Sequence, residues 1–239
     1  MTITESITKI ICSHPNGLSP TMILSSLPMN EGISARSVLS ILNRLMRKGE
    51  VIRKDGNYFI AGPSKQKFFA TPDKQTRELY SQLAAEFPFS KICIWRTDII
   101  IPLMHDIPNG TMTIVSIDKN ATDSAIDRLE NMTDKMVLAD TDGKVLTRLS
   151  SGRDIIVVSS LVSQAPIDCI DGINVPTIEK ILVDIISDNS LHAMAESQAY
   201  DIYMTAFERY AINRKSLLRY AGRRNRKSEV ESILNEIGR

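Results

Sequence analysis

Between Ser34 and Lys48 the 239-residue chain repeats apolar residues with the period of an α-helix, and this segment constrains the fold most. Its apolar face consists of Val38, Ile41, Leu42, Leu45 and Met46. A stripe within about 60° of arc carries polar side chains instead, namely Arg36, Ser40, Asn43 and Arg47. Ser34 is a suitable N-cap, and Gly49 stands where helices often end in a left-handed residue.

Two shorter helices are predicted before this helix, and a hairpin after it. Residues 4–13 place isoleucines at helical spacing, and Ser19-Pro20 is a cap residue followed by a proline suited to the first helical position. Residues 50–60 hold Asp55-Gly56 between β-branched and aromatic residues, which predicts a tight hairpin. Three helices followed by a basic hairpin resemble a winged helix-turn-helix along the whole run from Leu18 to Ile60.

The polar stripe has the chemistry of a helix that reads the major groove of DNA. Arginine binds guanine through two hydrogen bonds, asparagine binds adenine in the same way, and cations near the hairpin tip suit phosphates. The predicted contacts to double-stranded DNA are Ser34, Arg36, Ser37, Ser40, Asn43, Arg44, Arg47, Arg53 and Lys54. The alternative is a protein-interaction module whose polar stripe is a solvated face.

The rest of the chain predicts a mixed α/β domain with a helical C-terminal tail, so the overall class is α+β or α/β. Apolar runs predict strands at 92–96, 112–117 and 155–158, and a hairpin from 136–139 with 145–149. After Pro176 the pattern is helical almost to the end. The predicted organisation is a DNA-binding domain over 1–62, a linker over 63–74 and the larger domain over 75–239.

Positive charge is concentrated at both ends of the chain. Residues 1–62 and 190–239 each carry a net charge of +3, whereas residues 63–189 carry −5. Within the second basic end, contacts to a partner or nucleic acid are predicted for Arg214, Lys215, Arg219, Arg223, Arg224 and Arg226. Phosphates, an acidic partner, the acidic middle of the chain or solvent all remain open as what these side chains face. Ser228 with Glu231 predicts a capping box for a final helix.

No catalytic or cofactor site is predicted. Asp140-Thr141-Asp142-Gly143 is similar to the aspartate motif of haloacid-dehalogenase phosphatases, but a hairpin turn explains the same residues. Three separated cysteines, Cys12, Cys93 and Cys169, fit reduced and buried thiols better than disulfides or a metal site. Without a signal peptide or a membrane-spanning run, we expect a cytoplasmic protein. Because the sequence holds no G-x-S-x-G elbow and no glycine-rich phosphate loop, we expect that it is not an enzyme.

Two C-terminal stretches carry a family resemblance. Val175 through Ile186 looks like the proline-led helix of AbiEi-type antitoxins of type IV, abortive-infection toxin–antitoxin systems, and Asn213 through Ala221 is similar to a late helix of that family. The resemblance implies a DNA-binding autorepressor of its own operon that also counteracts a nucleotidyltransferase-type toxin. The alternative is a winged-helix regulator that senses a small molecule and has no toxin partner.

Overall fold

The fold is mixed α+β, and the chain divides into two compact units, Met1–Lys65 and Gln66–Arg239. The computed structural model describes residues 2–14, 16–27, 33–48, 50–60, 65–141 and 153–238. The N-terminal unit holds the predicted order of elements: α1 (Ile3–Cys12), α2 (Pro20–Ser25), α3 (Ala35–Arg47), β1 (Val51–Lys54) and β2 (Asn57–Ile60).

Side-chain caps start each of the three N-terminal helices. Thr2 forms a capping box with Glu5, and Ser19 accepts a hydrogen bond from the backbone N–H of Met22. Ser34 accepts a hydrogen bond from the backbone N–H of Ser37, as predicted for the cap of α3. These bonds satisfy N–H groups that have no partner within the helix, so the sequence sets the helix starts locally.

The β1–β2 hairpin is tied to the segment between α1 and α2. Asp55 and Gly56 have φ values of 50° and 82°, which is the left-handed turn that their sequence predicts. Leu18 and Tyr58 exchange backbone hydrogen bonds of 3.0 and 2.8 Å. Gly17, with φ of 77°, lies against the ring of Phe59, where a Cβ atom would approach to 2.4 Å. The hairpin is therefore fixed to the helices at its second strand.

A four-stranded sheet forms the centre of the C-terminal unit. Its strands are β3 (Ile92–Arg96), β4 (Met112–Ile117), β5 (Met136–Ala139) and β6 (Ile155–Ser160), in the order β3-β4-β6-β5. β4, β6 and β5 are parallel, and β3 is antiparallel to β4. Nearly all residues of β3, β4 and β6 are buried, as expected when both faces of a sheet are covered.

Helices and a small hairpin complete this unit. The first part holds α4 (Lys74–Glu86), short 3₁₀ segments at Thr97–Leu103 and Lys119–Ala121, and α5 (Thr122–Met132). The hairpin consists of β7 (Ile167–Ile170) and β8 (Ile173–Pro176). The C-terminal helices are α6 (Ile178–Ser187), α7 (Asn189–Ala195), α8 (Ala199–Arg209), α9 (Arg214–Arg223) and α10 (Lys227–Glu236), with a 3₁₀ turn at Glu196–Gln198. Every residue of α6 from Ile178 to Ile186 is buried, so the predicted helical tail is part of the core.

Several predictions of local structure are wrong. Val175 and Pro176 end strand β8 and do not lead the following helix, which begins at Ile178. The β7–β8 hairpin was not predicted, although Asp171-Gly172 at its turn repeats the Asp-Gly signal of the first hairpin. Ser228 does not cap α10, because that helix already begins at Lys227.

Two further expectations need correction. Of the cysteines, Cys93 is buried, but Cys12 and Cys169 are exposed, and all three are free. Phe68 and Ala70, which fall in the predicted linker, are buried in the core of the C-terminal unit. The second arm of the hairpin predicted at 145–149 lies outside the described residues, as do Pro15, Gly49 and Asp142, while β5 itself pairs in parallel with β6.

Candidate nucleic-acid interface

Helix α3 presents its predicted polar stripe to solvent. Arg36, Ser40, Asn43 and Arg47 are all exposed. On the other side of the helix, Val38, Leu42 and Leu45 are at most 1% exposed and belong to the core of the N-terminal unit. At about 100° per residue the stripe lies almost directly opposite this buried face. The core packing of α3 therefore directs four base-compatible side chains outward.

The charge of α3 is entirely positive. The helix contains Arg36, Arg44 and Arg47 and no aspartate or glutamate. Arg44 and Ser37 are also exposed and lie beside the stripe. The Arg44 guanidinium donates a hydrogen bond of 2.7 Å to the hydroxyl of Thr4 in α1, which restricts where this side chain can reach. This hydrogen bond therefore holds Arg44 toward α1, at the side of the stripe.

The hairpin adds two cations near its turn. Arg53 and Lys54 are exposed, and the Arg53 guanidinium carbon lies 5.6 Å from the centre of the Tyr58 ring. Tyr58 is buried and is bridged to Leu18, so this contact holds Arg53 against a fixed ring. A cation over an aromatic face gains about 0.5–1 kcal/mol at an exposed site. The Arg53 side chain is thus partly preorganised, with its guanidinium still accessible.

A second cationic surface, here called the α9 surface, lies in the C-terminal unit. From Arg209 to Ser228 the chain contains eight lysines and arginines and no acidic residue. The α9 surface consists of Arg214, Lys215, Arg219 and Arg223, all exposed. Leu217, Tyr220 and Ala221 hold the other side of the helix in the core. This acid-free face has the charge to bind a polyanion.

The remaining predicted basic residues are bonded within the chain. Arg224 is largely buried, and its guanidinium contacts the Asp188 carboxylate and donates a 2.9 Å hydrogen bond to the Ser187 hydroxyl. Arg226 forms a 3.2 Å ion pair with Glu229 and lies beyond the end of α9. The structure thus places Arg224 inside the fold, apart from the exposed α9 surface.

Arg223 has a local contact that leaves it accessible. Its guanidinium donates a hydrogen bond to the Ser163 hydroxyl, while the side chain remains at the surface. A neutral hydroxyl leaves the full positive charge of Arg223 in place. Arg223 therefore stays in the α9 surface.

A buried polar network connects α6 to α9 beneath this surface. The Lys180 ammonium lies 2.5 Å from one carboxylate oxygen of Asp184, and the Tyr220 hydroxyl donates a 2.8 Å hydrogen bond to the other oxygen. Burial alone would lower the pKa of Lys180, but Asp184 and the other acidic groups around it, Asp188 among them, together outweigh burial and hold that pKa above its usual range. Burial and the nearby Asp184 charge raise the pKa of Asp188 to about 7. These groups are enclosed, so the network orients α9 rather than meeting a ligand.

Asp140, the candidate phosphatase nucleophile, is bonded to the start of a helix. Its carboxylate accepts backbone hydrogen bonds of 3.2 Å from Asn189 and 3.0 Å from Ser190, and a further one from the Ser190 hydroxyl. These are the first two residues of α7. A carboxylate at the N-terminus of a helix accepts hydrogen bonds from N–H groups that have no partner within the helix, and its negative charge interacts favourably with the helix dipole. The described residues thus give Asp140 a structural role.

Among the residues that the structure describes, no group of three histidine, cysteine or acidic side chains is arranged to hold a metal ion. In the same parts of the chain, no helix is long and apolar enough to cross a membrane.

Comparison with known proteins gives a family match. A sequence model described as a family of unknown function (DUF6577) matches residues 38–239. No curated protein matches the chain. The match begins inside α3 and covers the hairpin and the whole C-terminal unit.

Proposed function

The chain belongs to the DUF6577 family, whose function is unknown, and we propose that it binds double-stranded DNA with α3 in the major groove. The observation that carries the proposal is the exposed stripe of Arg36, Ser40, Asn43 and Arg47 opposite a fully buried face. The N-terminal unit then acts as a winged helix-turn-helix. Its recognition helix reads bases while the hairpin cations contact phosphates.

The chemistry of the side chains suggests which residues contact bases and which contact phosphates. An arginine side chain can bind a guanine edge through two hydrogen bonds, and asparagine can bind adenine in the same way, so we assign these contacts to Arg36, Arg47 and Asn43. Each good pair is worth about 1–3 kcal/mol of discrimination. Arg44, Arg53 and Lys54 add affinity that depends on salt but not on sequence.

A double arginine variant tests the proposal. We expect Arg36→Ala with Arg47→Ala to lose specific binding to the DNA upstream of the gene and to keep the weak binding to a scrambled duplex. Both side chains are exposed, so the melting temperature should not change. Lys9→Ala is the matched control, because Lys9 is an exposed cation of the same unit on α1. Wild-type specificity in the double variant would show that α3 is not the reading helix.

The biological role that we propose is autorepression combined with antitoxin activity in the cytoplasm. It is supported by the resemblance of residues 175–186 and 213–221 to AbiEi-type antitoxins, together with the DNA-reading unit. No catalytic role is assigned to the chain. We expect a neighbouring gene for a nucleotidyltransferase, and co-expression of this chain should restore the growth that the toxin arrests. Growth arrest that persists at full expression of this chain would contradict the antitoxin role.

One observation favours a second candidate, a regulator that senses a small molecule. A cavity of about 230 Å³ is lined by Trp95, Arg96 and Asp73 among others. Trp95 is 2% exposed, and within the described residues its Nε1 has no hydrogen-bond partner. Trp95 is the only tryptophan in the chain. A metabolite that changes its fluorescence, the melting temperature and the DNA affinity together would favour this role.

A further inference from the structure

Leu39 is an apolar side chain on the exposed part of α3 that the core does not use. It is 41% exposed, whereas Val38 and Leu42 on the same helix are at most 1% exposed. Leu39 lies about 70° from the middle of the polar stripe at 100° per residue. At 41% exposure Leu39 leaves a substantial apolar area open to solvent beside the polar stripe.

The two sides of the stripe differ in chemistry. Ser37 and Arg44 flank it on one side, and Leu39 flanks it on the other. The hydrogen bond to Thr4 holds the Arg44 side chain close to α1. One edge of the interface is therefore polar and cationic, suited to phosphates, and the other edge is apolar.

The position of Leu39 along the helix is also informative. It stands in the first half of α3, which begins at Ala35. In helix-turn-helix proteins this half of the recognition helix approaches the base edges. Asn43 follows Leu39 by one helical turn, so the two side chains are neighbours on the surface.

The apolar group that base pairs expose in the major groove is the methyl group of thymine. Asparagine reads the adenine edge, and apolar side chains contact the thymine methyl, so both functions favour A·T pairs. We propose that Leu39 packs against thymine methyl groups and, with Asn43, selects A·T pairs beside the base pairs that the arginines read. This inference rests on the proposed DNA binding and adds a specificity-determining residue to it.

The test removes the methyl group without altering base pairing. Full-length protein selects duplexes from a randomised library, and the enriched duplex is then synthesised with thymine and again with uracil at every thymine. We expect affinity to fall about fourfold for each methyl that Leu39 buries. Leu39→Ala should bind the thymine duplex as weakly as the wild type binds the uracil duplex, and should not distinguish the two.

The control and the contrary outcomes separate the two proposals. Phe89→Ala removes a fully exposed apolar side chain from the C-terminal unit and should keep the wild-type ratio. Equal wild-type affinity for both duplexes would overturn the role of Leu39 while leaving DNA binding intact. A Leu39→Ala variant that keeps the wild-type ratio would do the same. If no duplex is enriched, the proposed function fails and this inference fails with it.

Discussion

Replacing Lys180 with methionine should destabilise the C-terminal unit strongly. The Lys180 and Asp184 side chains are 3% and 2% exposed, and their charged atoms are 2.5 Å apart. Methionine fills a similar volume but leaves the Asp184 carboxylate buried with only the Tyr220 hydroxyl as its hydrogen-bond donor among the described contacts. A buried charge without its partner cannot recover the hydration that it lost on folding.

The expected cost follows from this burial. Removing one partner of a buried ion pair costs about 3–5 kcal/mol. In a unit of this size, about 1 kcal/mol shifts the melting temperature by roughly 2–4 °C, so we expect a fall of about 6–20 °C. Adding Asp184→Leu and Tyr220→Phe should recover much of the stability, because no charge or hydroxyl then remains unpaired.

Urea unfolding of the full chain, monitored by far-ultraviolet circular dichroism, measures the difference in free energy of unfolding between the variants and the wild type. Lys74→Met is the matched control, because Lys74 and Glu78 form an ion pair with the same i,i+4 spacing but are 89% and 61% exposed. Such a pair contributes about 0–1 kcal/mol. Equal effects of Lys180→Met and Lys74→Met would refute the argument that burial makes the Lys180 pair essential.

Further predictions concern pH, a helix cap, a turn and the α9 surface. The pKa of Asp188 is about 7 in the folded protein and about 4 in the unfolded chain, so the folded state loses stability as pH rises between these values. Asp188→Asn should therefore flatten the dependence of the free energy of unfolding on pH, measured by urea unfolding from pH 5 to 7. An unchanged pH dependence would contradict the raised pKa. Asp140→Ala should cost about 1–2 kcal/mol and Asp140→Asn less, since the amide oxygen still caps α7; equal destabilisation in thermal melts would argue against capping. Gly17→Ala should destabilise the N-terminal unit by at least about 1–2 kcal/mol, because alanine is strained at this positive φ and its Cβ would also meet the Phe59 ring. An unchanged urea midpoint would contradict both reasons. Replacing all four basic residues of the α9 surface with glutamine should lower the slope of log Kd against log salt concentration by about 0.9 for each phosphate that they neutralise in the wild type. An unchanged slope would show that this surface does not contact DNA.

The N-terminal elements can be predicted from the sequence because local interactions determine them. Ser34 caps α3 through its own neighbour Ser37, and Asp55-Gly56 turns the hairpin through its own backbone conformation. The same Asp-Gly signal at 171–172 was missed, because β7 is short and partly exposed and lacks a clear apolar pattern. A turn signal can be recognised in a sequence where the residues on either side also show the apolar periodicity of a strand or a helix.

The parts that could not be predicted depend on interactions between distant segments. In a run of closely spaced arginines, the sequence does not show that Arg224 turns inward to Asp188, because that pairing joins two helices. Asp140 looked like a nucleophile or a turn, and its bond to the start of α7 spans about fifty residues of chain. The parallel pairing of β5 with β6 likewise has no signature within either strand.

The most direct test of DNA reading by the N-terminal unit is a fluorescence anisotropy titration of the full-length protein. The probe is the duplex upstream of the gene, with a scrambled duplex as control, at several salt concentrations. The account predicts tighter binding to the upstream duplex at every salt concentration, with affinity falling steeply as salt rises. No binding to either duplex at low salt would contradict it and would favour the alternative, a protein-interaction module.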